Sequence, residues 1–246
     1  MSNEAPQPDN ATDNDFLIYG SPVSPFARKA MALAIEKGAG FDVKGVDIMN
    51  MPDWFLAISP MKRIPVLRDR SIDWDEDHGN PAGTIADSSA ICGYIEKKDP
   101  TPALYPADAY EHGRALFFEE YADTVLAPAA GLGVFRPIFF SMMAGKEPDL
   151  EAAKVGWTET LPPILDFLET ALGDGEFFVG DAVSIADIAI TCCFMQVELV
   201  VNAPLDNWPA LKAHHERMNA RPSIAGPYAQ AAGFIRKALP EPFELT

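Results

Sequence analysis

Between Phe16 and Lys98, short apolar runs alternate with runs of helical periodicity. Phe16 to Tyr19 is an unbroken apolar run of strand length. Phe26, Ala30, Leu33 and Ala34 then recur at helical spacing across Pro25 to Lys37, which Gly38 stops. Phe41 to Val46 alternates as a second strand, and Pro52 to Ile58 reads as a short helix. A third strand begins at Ile64 to Leu67, a fourth spans Gly83 to Ala86, and Asp87 to Lys98 is a helix. The order β-α-β-α-β-β-α predicts a small sheet covered by helices, an α/β unit over 15–98.

After the linker at 99–107, carrying Asp99-Pro100-Thr101-Pro102 and Tyr105-Pro106, strand signals nearly vanish. Helices are predicted over Ala109 to Ala144, with a disruption around Pro128 to Pro137, and over Asp149 to Leu172, Ser184 to Val201, Trp208 to Ala220 and Ser223 to Ala238. An all-helical domain over 108–238 follows, flanked by tails at 1–14 and 239–246. Ser184-Ile185-Ala186-Asp187 reads as a capping box, a folding signal.

Composition narrows the functional classes. A formal net charge of −17 over 246 residues repels nucleic acid and anionic membrane surfaces, so neither is expected as a partner. No apolar run approaches a membrane span, and the polar Met1 to Asp15 lacks the basic and apolar regions of a signal peptide. A cytoplasmic protein with a disordered N-terminal tail is expected. The three cysteines, Cys92, Cys192 and Cys193, lie in apolar helical patterns without redox or metal-ligand spacing, and are read as packed thiols. In the acidic stretch Asp69 to Ala82, Asp73, Asp75 and Asp77 are spaced as in a calcium loop. The sixth and twelfth positions are His78 and Thr84 instead of Gly and Glu, so a solvated hairpin and no metal are expected.

Three features carry chemistry. Ser24 precedes Pro25 at a helix start, where unpaired N–H groups and a partial positive charge favour an anion. Ile64-Pro65 opens a strand; a cis bond there would turn the Ile64 backbone toward an extended peptide. Asp87-Ser88 opens a further helix, offering a hydroxyl and free N–H groups to a carboxylate and the Asp87 side chain to an ammonium. Together they describe a site for a small thiol peptide.

These residues also carry a resemblance. SPVSPFARKAMALAIEKG, PDWFLAISPMKRIPVL and ADSSAICGYIE resemble the N-terminal half of cytosolic glutathione transferases, and FVGDAVSIADIAI resembles the start of their sixth helix. The resemblance covers Phe16 to about Gln230. It implies the glutathione transferase fold, a thioredoxin-like α/β N-terminal domain plus an all-α C-terminal domain, with a homodimer, glutathione as co-substrate and a role in detoxification. By it, Ser24 matches the residue that contacts the glutathione sulfur, and Phe26 beside it is expected among the glutathione-binding residues. Ile64 matches the residue whose backbone pairs with the cysteinyl part, before the cis-Pro65. Asp87 and Ser88 match the pair that binds the γ-glutamyl end. SPF at 24–26 and PDWF at 52–55 look most like the omega class, which has a cysteine where this chain has Ser24 and a glutathione-binding lysine where it has Met51.

That first departure selects the chemistry. A cysteine forms a mixed disulfide with glutathione; a serine does not, but its hydroxyl donates to the glutathione thiolate. The expected activity is thiolate attack on a hydrophobic electrophile. A non-catalytic glutathione-binding protein of the same fold and a glutathione-dependent thiol reductase are the alternatives. Ser21 is the rival hydroxyl. For the electrophile, Val23 and Phe26 are expected to face aromatics of the long interrupted helix, of which Tyr121 and Phe135 are the candidates, with Phe117, Phe118 and Phe139 nearby. Arg136 reads as a surface ion pair before an anion contact, and the adjacent His214 and His215 receive no function.

Overall fold

A computed structural model describes residues 14–245 of the chain. The expected N-terminal tail lies, up to residue 13, outside the described residues. The first domain holds β1 (Phe16–Tyr19), α1 (Pro25–Glu36), β2 (Phe41–Lys44), α2 (Asp53–Ile58), β3 (Val66–Asp69), β4 (Thr84–Ala86) and α3 (Ser88–Lys98). Its strands form one sheet in the order β2-β1-β3-β4, with β1 parallel to β2 and antiparallel to β3, and β3 antiparallel to β4. This is the thioredoxin-like arrangement, and the helical domain follows it.

Helix α4 (Ala109–Met143) runs for 35 residues. The disruption expected around Pro128 to Pro137 is absorbed without a break. The helix widens to i→i+5 turns over Ala122–Leu126 and Gly131–Phe140, so that Pro137, which has no N–H to donate, sits inside a continuous helix. By length and composition α4 is apolar enough to cross a membrane, which revises the sequence reading that no stretch approaches that limit. Here its apolar side, including Phe118, Leu126, Val134 and Ile138, is core. The next helical stretch, α5 (150–172), bends at Leu161 ahead of Pro162 and Pro163. It crosses α4 closely where Gly156 meets Gly133; a Cβ on Gly156 would lie 2.4 Å from the Gly133 carbonyl oxygen, so only glycine fits. Helices α6 (Ile185–Glu198), α7 (Pro209–Asn219) and α8 (Pro222–Ile235) complete the domain.

Helix α1 packs on α3, α6 and α8, and it is enclosed by both domains. Every residue from Ala27 to Ala34 is buried, including Arg28 and Lys29, and the four alanines among them let the neighbours approach. Ser184 and Asp187 form the expected capping box, and Asp187 also accepts from the Phe178 N–H and pairs with His214 Nε2 at 2.9 Å. His214 is thereby a structural partner of that cap.

Two expected surface segments are more ordered than their sequence suggests. In the 69–82 hairpin the carboxylates of Asp73, Asp75 and Asp77 are exposed, as expected, but the backbone closes around the buried Arg68. Its guanidinium donates to the carbonyls of Asp77 (2.7 Å) and Asn80 (3.3 Å) and to Asp75 (3.1 Å), and stacks on Trp74. The stretch 239–245, read as a tail, packs on the end of α6. The Phe243 N–H donates to the Val200 carbonyl, its own carbonyl accepts from Asn202, and Leu239 and Leu245 are buried.

Candidate active site

One row of the sheet gathers the three sequence features. Lys44, Tyr19, Val66 and Ala86 are paired across β2, β1, β3 and β4, so the segments beyond Tyr19, before Val66 and after Ala86 leave the sheet at one end. Gly20 closes the gap between two of them: a Cβ built there would stand 3.5 Å from Ala27 in the first turn of α1 and 3.7 Å from Pro65. The start of α1, the Ile64-Pro65 turn and the start of α3 therefore surround one region.

Ser24 is the N-cap of α1, extended at φ −75° and ψ 127°, and half-buried. Its Oγ accepts from the Ala27 N–H at 3.4 Å, a long bond that uses a lone pair and leaves the O–H proton undonated among the described residues. Ser21 stands three residues earlier; its Oγ accepts from the Val23 N–H at 3.3 Å and its carbonyl from the Ser24 N–H at 2.9 Å. The turn that presents Ser24 is thus closed on itself.

The Ile64–Pro65 bond is cis. Pro65 is buried, Ile64 half-buried, and among the described residues neither the N–H nor the carbonyl of Ile64 enters a backbone hydrogen bond. A residue with both backbone groups unpaired, just before the strand begins at Val66, can bond the backbone of a peptide ligand.

At the start of α3, Asp87 takes φ 87°, the left-handed region that an aspartate tolerates only under constraint, and its carboxylate accepts from the Ser89 and Ala90 N–H groups. Asp87 is exposed and Ser88 buried. The sequence offers the Ser88 hydroxyl to an incoming carboxylate, but in the structure it lies 3.5 Å from Asp123 of α4, which Ser89 also approaches at 3.2 Å. Asp123 belongs to a buried cluster. The Lys29 ammonium binds Glu119 (3.0 Å), Asp123 (2.5 Å) and Ser89 (3.1 Å), and the Tyr105 hydroxyl donates to Glu119. Burial opposes the charge on Lys29, yet the two carboxylates outweigh it and hold the ammonium above its ordinary value. Burial pushes the Asp123 carboxyl up, partly offset by Lys29, and its Oδ1 is shielded from solvent with no partner among the described residues.

A neighbouring cation has the opposite surroundings. Arg28, wholly buried, donates to the carbonyls of Pro22 (2.8 Å) and Val23 (3.1 Å) in the Ser24 turn and to Cys192 O (2.8 Å) and Gln196 Oε1 (3.1 Å) in α6. Burial draws its pKa down from the ordinary value, yet a guanidinium stays charged. Sequence reading missed Arg28, Lys29, Glu119 and Asp123, because each is a charged residue within a helix.

Among the aromatics expected to line a second pocket, Val23 and Phe26 are half-buried beside Ser24. Tyr121 stacks on Phe167 of α5 at 4.7 Å and on Phe117 at 6.0 Å, half-exposed. Phe135 is only 3% exposed, packed on Phe139 and Phe140, so it offers no open ring face. Arg136 lies over the Phe140 ring and, among the described residues, forms no ion pair. All three cysteines are buried; burial pushes Cys192 up to about 11 and Cys92 and Cys193 well above their ordinary range, which removes the thiolate at neutral pH.

Comparison with known proteins gives the family. Residues 23–98 match the model of the glutathione S-transferase N-terminal domain, and residues 134–230 that of the C-terminal domain. Glutathione S-transferase F10 of Arabidopsis thaliana is 31% identical over 178 residues, covering 70% of this chain and 76% of its own. The chain belongs to the glutathione S-transferase family. Glutathione S-transferase omega-1 of Rattus norvegicus is 24% identical over 91% of this chain and 85% of its own. The crystal structure of glutathione transferase URE2P8 from Phanerochaete chrysosporium, solved with oxidised glutathione, superposes with a TM-score of 0.73 over 92% of this chain and 99% of that one, at 23% identity, and shows the shared fold.

Proposed function

We propose that this glutathione S-transferase family member binds glutathione at the sheet end and activates its thiolate through Ser24 for attack on a hydrophobic electrophile. The observation that carries the reading is the Ser24 hydroxyl: it caps α1 as an acceptor, and its proton remains to donate to an anion at the positive end of the helix. A thiolate held there has a depressed pKa, and attack needs only that an electrophile approach from the side of Val23 and Phe26. The unpaired Ile64 backbone suits the cysteinyl part. At the start of α3, Asp87 and the half-satisfied Asp123 suit the γ-glutamyl ammonium, while the Ser88 N–H, which the Asp87 cap does not use, suits its carboxylate. A mixed disulfide with a protein thiol is disfavoured, since the cysteines are buried and protonated. The omega-like sequence with serine for cysteine, a cytoplasmic homodimer and a part in detoxification belong to the same reading.

Assay with a chloronitrobenzene and glutathione tests it. Ser24→Ala is expected to lower kcat/KM by about ten- to hundredfold, the worth of one charge-assisted hydrogen bond, with Ser21→Ala near wild type. Ser24→Cys is expected to gain thiol transfer. Unchanged conjugation by Ser24→Ala would remove Ser24 from the mechanism, and loss confined to Ser21→Ala would transfer the role to that residue.

A further inference from the structure

Of the two fully buried cations of α1, Arg28 has no carboxylate partner among the described residues, and it is bonded to the turn that presents Ser24. Arg28 is the fourth residue of α1, and its side chain points back toward the N-terminus, as helical side chains do. One nitrogen of its planar fork bonds two successive carbonyls, Pro22 and Val23, and the Val23 carbonyl belongs to the peptide whose nitrogen is Ser24. The other nitrogen bonds the Cys192 carbonyl and the Gln196 side-chain oxygen, so the second domain holds the far end of the same fork. Its acceptors among the described residues are neutral. The titratable groups about it are Cys192, Cys193 and Glu198 on α6 and Tyr228 on α8, and the Glu198 carboxylate is engaged by His215. Lys29, one residue on, is by contrast matched by two acids. A buried guanidinium that bonds only dipoles keeps an unneutralised field, and that field adds to the helix dipole where Ser24 stands.

We propose that Arg28 is a positioning residue for thiolate activation: it fixes the Pro22-Val23-Ser24 turn against α6 and supplies the buried positive charge that favours an anion at the start of α1. The inference rests on the proposed binding of glutathione there. It makes the second domain, through Gln196 and the Cys192 carbonyl, part of what sets the reactivity of a thiol bound by the first.

The test follows the thiol pKa of bound glutathione from ultraviolet thiolate absorbance against pH, alongside the glutathione Kd, for wild type, Arg28→Lys, Arg28→Met, Gln196→Met and Ser24→Ala. In Arg28→Lys the charge stays but the fork is lost; in Arg28→Met both are lost. The bound-thiol pKa is expected to rise by about 1 or more in Arg28→Met and by less in Arg28→Lys, with Kd changed less than threefold. Gln196→Met, which leaves Arg28 in place and loosens one bond, is expected to raise it least, and it tests the coupling if the Arg28 variants do not fold. A folded Arg28→Met whose bound-thiol pKa matches wild type overturns the proposal, as does an unmoved pKa in Gln196→Met where that variant stands alone. If Ser24→Ala leaves the pKa in place while the Arg28 variants raise it, the serine reading fails and the Arg28 inference stands. A wild type that binds glutathione without lowering its thiol pKa overturns both.

Discussion

The two helix starts at the sheet end use one device under opposite local charge. At α1, Ser24 caps the helix and the buried charge bonded to its turn is a guanidinium whose acceptors are carbonyls and an amide. At α3, Asp87 caps the helix and the neighbours from α4 are Asp123, Glu119 and Glu120, with Lys29 neutralising part of them. A helix N-terminus by itself favours any anion. What differs is the surrounding charge, which leaves α1 suited to a lone anion and α3 suited to a group that brings its own positive charge. The two starts are 63 residues apart in sequence, Asp87 against Ser24, yet the consecutive residues Arg28 and Lys29 serve one each.

The harshest way to break this contrast is to remove the cation from the acidic side. Lys29→Met would leave Glu119 and Asp123 as buried carboxylates without their partner, and thermal or denaturant unfolding is expected to show a loss of about 3–5 kcal/mol. A variant that also carries Glu119→Gln and Asp123→Asn is expected to recover much of that loss, since the cost lies in the stranded charges and not in the missing lysine. A triple variant no more stable than Lys29→Met would show that the cluster is held by packing.

The acidic side is sharpened by Asp123→Asn. If Asp123 receives the γ-glutamyl ammonium, the glutathione KM is expected to rise about tenfold with kcat held, in the range of one hydrogen bond to a charged group. A glutathione analogue without its amino group should then bind wild type and variant alike. Equal losses for both ligands would assign Asp123 to the fold alone.

Of the two starts, sequence reading finds the positions and not the charges that distinguish them. Ser24 before Pro25 is a local signal, a cap whose side chain bonds its own backbone and so survives without tertiary context, whereas Asp87, read as the first helical residue and an ammonium partner, is the cap of α3. Pro65, like Ser24, is a local signal. Arg28 and Lys29 look like the solvated flank of an amphipathic helix, because the periodicity of Phe26, Ala30, Leu33 and Ala34 describes one buried face, whereas α1 is covered on all sides once the second domain packs on it. Asp123 is hidden in α4 by the same logic. The prolines of α4 show in the sequence as a disruption around Pro128 to Pro137, and the helix meets it with wider turns before Pro128 and around Pro137 that keep it continuous. The 69–82 hairpin reads as solvated because its acids are exposed, while the residue that organises it, Arg68, lies on the preceding strand.

The smallest expected effect concerns how α3 is held at its other end. Asp69, buried at the end of β3, accepts from Lys98 and Tyr94 of α3 and from Ser71. Burial alone would raise its carboxyl, but these donors overcome it and bring the pKa down to about 2. A carboxylate depressed in the folded state contributes stability that is complete above its unfolded value, near 3.8, and that is lost as pH falls toward about 2. Wild type is therefore expected to lose stability between about pH 4 and pH 2 in part through Asp69, and Asp69→Asn to show a shallower decline over that window while being less stable at pH 7. Unfolding midpoints at pH 7, 4 and 3 measure both slopes. Because the bonds to Tyr94 and Lys98 lie on the last turns of α3, the glutathione KM should change little in this variant. A large rise in KM would mean that the distal anchor sets the geometry of the Asp87 cap, and that the acidic helix start depends on the whole of α3.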